Sequence, residues 1–135
     1  MQTRDQKYAI DIFGRVSKVS KEKKEYQNIY GSMSHKLPIL IRTAGLAQAL
    51  SFVEAKAIKV NALQQLLKDL SATVEQQDLP AVARNTKELS AYIRLTQQVM
   101  AALLWYKRFA QSVLDVDASN RDDTILDEGN RNEHK

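Results

Sequence analysis

Side-chain chemistry needs nucleophiles, bases or ligands held close together, and this sequence supplies few. It has no cysteine, which removes disulfides, thiolate zinc sites and cysteine nucleophiles. Of its two histidines, His134 is next to last, and His35 sits beside Lys36 with no partner set nearby. A surface or capping role on a helix suits His35 better than catalysis. The four glycines (Gly14, Gly31, Gly45, Gly129) never cluster into a phosphate loop. No His-x-x-x-His or Glu-x-x-His spacing occurs. Asp115, Asp117 and Ser119 begin like a calcium loop, but Asn120 replaces the turn glycine and Leu126 stands where a bidentate Glu belongs. The pair Asp122-Asp123 lies in a segment too polar to hold a catalytic magnesium rigidly. The expectation is a protein without catalytic residues, resident metal or cofactor.

Cations form the stronger pattern. At 100° per residue, Arg4, Lys7, Arg15, Lys18 and Lys21 share one side of a first helix, with Asp11 and Glu22 among them. Lys87, Arg94, Ala101 and Arg108 recur every seven residues, drifting only about 20° per heptad. Trp105 falls on the same side as Arg94 and Arg108. An indole beside guanidiniums can stack on an unpaired base while the cations track a strand; the plainer reading, that Trp105 widens the packing face, is preferred. Through Leu114 the chain carries 17 basic and 9 acidic side chains, and from Asp115 onward 3 basic and 7 acidic. A basic body with an acidic tail points to an anionic partner for the body. Ordinary solvation of a soluble protein would account for the same charges.

Helices must position these residues. A length of 135 residues suits one domain with a core of its own. Four glycines and two prolines are too few for a turn-rich β fold. No apolar run approaches a membrane span, and the opening MQTRDQKYAI has no apolar signal core, so a cytoplasmic location is expected. Thr3 to Gln6 forms a capping box, and Tyr8, Ile12, Val16 and Val19 carry a first helix to about Lys24. A second covers about Tyr26 to Ala44, with a kink or restart at Pro38 and a stop at Gly45. Helical spacing then runs from Leu46 to about Lys56 and from Ala55 to Glu75. Asp78 with Pro80 starts another helix. From Tyr92 through Leu95, Val99, Ala102, Tyr106, Phe109 and Val113 a long buried seam follows, with a possible break near Leu89-Ser90. The fold class is therefore all-α: a compact single-domain bundle of five or six helices over residues 1–116. Residues 117–135 read as a flexible acidic tail, expected to be disordered.

Two blocks, YGSMSHKLPILIRTAGLAQALSF from Tyr30 to Phe52 and WYKRFA from Trp105 to Ala110, resemble the small subunit of type III-B CRISPR effectors, the Cmr complex. The resemblance covers about Arg4 to Leu114. Ala44 departs from the Asn expected before the glycine, and Gly45 alone can end that helix. The resemblance implies a non-catalytic helical subunit whose copies stack head to tail as a minor filament. Its implied partners are the other Cmr subunits, the guide RNA and the single-stranded target RNA, with no membrane.

Combining stripes and resemblance, the expected nucleic-acid contacts are Lys7, Arg15 and Lys18 on the first helix, then Lys36, Arg42, Arg94, Lys107 and Arg108. Lys36 and Arg42 enter through HKLPILIR, and Lys107 through WYKRFA. The competing reading is a helical protein–protein interaction module with no direct nucleic-acid contact. Salt-dependent affinity for single-stranded RNA separates the two.

Overall fold

A computed structural model describes residues 2–119. Six helices follow in order: α1 (Arg4–Val19), α2 (Lys24–Ala44), α3 (Leu46–Ala57), α4 (Asn61–Thr73), α5 (Leu79–Asn85) and α6 (Leu89–Ser112). There is no strand among the described residues. The tail from residue 120 onward, with His134 and most of the calcium-like segment, lies outside them.

The capping box forms as the sequence predicts. Thr3 Oγ1 accepts from the Gln6 amide at 3.1 Å, and Gln6 Oε1 accepts from the Thr3 amide at 2.8 Å. The helix stops at Val19, short of the expected Lys24. Gln27, reaching back from α2, explains the early stop: its side-chain amide donates to the Ser20 and Glu22 carbonyls at 3.1 and 2.8 Å. Those carbonyls no longer need helical donors.

Pro38 does not restart α2, which runs unbroken through it. A proline removes one donor from an interior turn, yet burial of this helix on nearly every side holds the turn together. Gly45 ends α2 with φ +91°, a conformation other residues rarely adopt, and its amide donates to the Ile41 carbonyl at 2.8 Å. The stretch expected to be helical from Ala55 begins only at Asn61. Gln64 donates to the Ala57 carbonyl at 2.7 Å, closing the corner between α3 and α4. Asp78 caps α5 by accepting from the Ala81 amide at 3.2 Å.

The core is one apolar cluster built on α2, with α6, α4 and α3 against it. Its largest fully buried members include Tyr30, Met33, Leu37, Leu50, Leu66, Leu103 and Tyr106. Every α2 residue from Gly31 to His35 is buried, so this turn has a cover on its outward side as well. The chain after α6 supplies it. Val116 is wholly buried, and a Cβ on Gly31 would stand 2.8 Å from the Val116 Cβ. His35 Nε2 lies 2.8 Å from the Val116 carbonyl, and Lys24 Nζ donates to the Leu114 carbonyl at 2.8 Å. His35 is thus a buried clamp residue, where a surface or capping role was expected.

Candidate nucleic-acid interface

The two cationic stripes stand on α1 and α6, and these helices pack together. Phe13 of α1 meets Phe109 of α6 edge to face, centroids 5.4 Å apart. Phe109 stacks on Trp105 at 5.8 Å, and the Arg108 guanidinium lies 4.8 Å over the indole. This aromatic bridge packs the Phe13 edge of α1 against α6, a contact that helical periodicity could not supply. Lys7 and Lys18 are placed along α1, Arg94 and Arg108 along α6. Lys87 precedes α6 and drops out of the continuous stripe.

The other expected contacts fare differently. Arg15 is spoken for: its Nε donates to Asp11 Oδ2 at 2.9 Å, and its Nη1 lies 3.7 Å from Asp69 Oδ1. The hydrogen bond to Asp11 raises the guanidinium pKa above its ordinary value, so the charge is permanent and largely neutralised locally. Lys36 Nζ is buried without a hydrogen-bond partner, and Lys107 is half-buried. Arg42 is exposed in the last turn of α2, on a helix outside the aromatic bridge. The accessible cations of the expected set are therefore Lys7, Lys18, Arg42, Arg94 and Arg108.

Trp105 is half-buried, and its Nε1 is buried with no acceptor. With Phe109 stacked on it and Arg108 over it, the indole is already engaged. It widens the packing face, the reading preferred from sequence, and also anchors a cation.

Beneath the stripes lies a polar network that sequence reasoning missed. Asp69 is 4% exposed. Its carboxylate accepts from the Tyr30 hydroxyl at 2.6 Å and from Gln65 Nε2 at 2.8 Å. The Thr73 hydroxyl lies 2.7 Å from Asp11 Oδ2, 2.9 Å from the Asp69 carbonyl and 2.8 Å from the Tyr106 hydroxyl. Thr73 has one proton to give, so Tyr106 donates to it while it donates to one of the other two. Burial pushes the pKa of Tyr30 and Tyr106 above the ordinary phenol value. These groups tie α1, α2, α4 and α6 together. Asp69 thus accepts one donor on each carboxylate oxygen, Tyr30 on Oδ2 and Gln65 on Oδ1. Among the described residues no three His, Cys, Asp or Glu side chains converge as metal ligands would, and no helix is long and apolar enough to cross a membrane.

Residues 4–113 match the family model of CRISPR-associated protein Cas_Cmr5. The CRISPR system Cmr subunit Cmr5 of Thermus thermophilus is 38% identical over 117 residues, covering 85% of this chain and 99% of that protein. The X-ray crystal structure of a CRISPR-associated Cmr5 family protein from the same organism superposes with a TM-score of 0.73 at 39% identity. The match covers 84% of this chain and 98% of the other.

Proposed function

We propose, for a chain that belongs to the CRISPR-associated Cmr5 family, a role as the non-catalytic, cytoplasmic small subunit of a type III-B effector. Its copies stack head to tail beside the other Cmr subunits. Its exposed cations contact the guide RNA and the single-stranded target through phosphates, while sequence recognition belongs to the guide. The observation that carries the RNA reading is that α1 and α6, the two stripe-bearing helices, pack side by side through Phe13 and Phe109 and leave Lys7, Lys18, Arg94 and Arg108 exposed. Phosphate contacts position a strand without reading bases, which suits a surface of exposed Lys and Arg. Of the expected contacts, Lys7, Lys18, Arg94 and Arg108 form the principal set and Arg42 stands apart. Arg15, Lys36 and Lys107 contribute through the local field, since their charges are paired or partly covered.

Titration of unrelated single-stranded RNAs at several salt concentrations tests this. Neutralising about three or four phosphates gives a slope of log affinity against log salt of roughly −2 to −3. Arg94→Glu with Arg108→Glu should weaken every RNA by a similar factor and flatten the slope. Unchanged affinity and slope would show this surface to be wrong. No RNA binding at low salt, alone or in the assembled complex, would leave a structural interaction module in its place.

A further inference from the structure

Gly14 sits in the middle of α1, on its exposed side. A glycine there costs about 0.5–1 kcal/mol of helix stability relative to alanine. The fold does not require it: φ is not in the left-handed range, and an added Cβ would meet nothing within 4 Å. Gly31 makes the contrast, because Val116 fills the space its Cβ would take. Gly14 therefore leaves the outward face of α1 bare at this point.

Its neighbours complete the face. Helical spacing places Phe13, then Ile10 and Ser17, then Gly14, then Lys7 and Lys18 in successive rows across the outward face of α1. Phe13 is 52% exposed and Ile10 63%. Phe109 holds the Phe13 ring edge to face from below, so the ring is fixed rather than free to collapse. One border of the face is thus aromatic and the other cationic, with Ile10, Ser17 and the bare Gly14 position between them. Lys7 and Lys18 stand about 16 Å apart along the axis, against about 3.4 Å of axis per phosphate in a stacked strand.

We infer that this face is a seat for an unpaired nucleotide. The base stacks on Phe13, the ribose passes over Gly14, and the phosphates lie along Lys7 and Lys18. Single strands are held by aromatic stacking plus backbone cations, and this order of rows matches one strand, with its bases on one border and its backbone on the other. A duplex has no unstacked base to offer the ring. The inference rests on the RNA reading above and adds to it a preference for unpaired over paired RNA.

The test compares the full-length wild type with Phe13→Leu, Phe13→Tyr and Gly14→Leu. Each is titrated with a short single-stranded RNA and with the same strand annealed to its complement. Phe13→Leu keeps apolar bulk but no ring, and should weaken single-strand binding about tenfold. It should leave duplex binding and the salt slope unchanged; Phe13→Tyr should restore wild-type affinity. Gly14→Leu should raise the melting temperature by a few degrees, about 3–5 °C, while weakening RNA binding severalfold. If wild type binds RNA and Phe13→Leu leaves the single-strand affinity intact, or weakens both forms equally, the seat is refuted and the phosphate surface stands. If wild type binds neither form, the RNA reading itself falls. If the variants loosen only incorporation into the assembled complex, the face is a protein contact and this inference is overturned.

Discussion

At the residue scale, Asp69 decides most. A carboxylate that is 4% exposed needs donors, and Tyr30 and Gln65 supply them. Tyr30→Phe removes one donor and leaves an acceptor buried, so it should cost about 1–3 kcal/mol in urea unfolding. The two buried tyrosines also set an alkaline limit. Burial raises both phenol pKa values above the ordinary 10.0, so the folded state favours the neutral form. Their contribution is intact below about pH 10, where phenols of the unfolded chain stay neutral, and is lost progressively at higher pH as those phenols ionise. Melts at rising pH should show a flat plateau and then a decline from about pH 10. Phenolate absorbance from these two rings should appear together with unfolding; its appearance in the folded protein at about pH 10 would show that they are solvated. The sequence held one sign of this network. Asp69 and Thr73 fall in phase with Ala62 and Leu66 on the buried side of α4, where polar residues need partners. Those partners come from α1, α2 and α6, and no local pattern names them.

At the element scale, apolar periodicity located the longer helices, because each buries a stripe at helical spacing against one core, whereas α5 was marked by its Asp78 and Pro80 start signal. The boundaries were legible where the chain itself supplies the signal, as at Thr3, Gly45 and Asp78. They were not legible where a distant side chain decides them: α1 ends where Gln27 takes over the carbonyls that follow it. The cover over α2 was equally hidden. Gly31 and His35 are buried by a segment on the far side of α6 in the chain. The site divides in the same way. Periodicity identified the two cationic stripes and places Asp11 four residues before Arg15, so that pair was open to sequence reading; the Phe13–Phe109 contact and the approach of Asp69 to Arg15 exist only after packing. Gly31→Ala tests the cover. Its Cβ would press on Val116 from 2.8 Å, so the segment after α6 must shift or strain. The expected loss is about 1–3 kcal/mol, read as a lower urea midpoint. A neutral result would mean that this segment yields freely and contributes little to the core.

For the whole molecule, the question is what the segment after α6 adds to the helical body and what the acidic charge from Asp115 onward does. The body through Leu114 carries 17 basic against 9 acidic side chains; from Asp115 the balance reverses to 3 against 7. Val116 is fully buried, whereas Asp117, Ala118 and Ser119 are exposed. We propose that the contribution of the chain after α6 to the core ends with Val116. A chain ending at Asp117 keeps the Val116 side chain over Gly31 and its carbonyl beside His35, so its melting temperature should match that of the full protein. A chain ending at Val113 loses both, together with the Leu114 carbonyl that Lys24 donates to. It uncovers apolar surface on α2 and should melt several degrees lower, by about 3–5 °C per kcal/mol lost at this size. RNA affinity should separate from stability in this pair. Carboxylates near a phosphate strand repel it, so removing residues 118–135 should leave RNA affinity at low salt unchanged or higher. A fall in affinity on that truncation, with the melting temperature held, would make the acidic segment part of the binding surface and would reverse its assigned role.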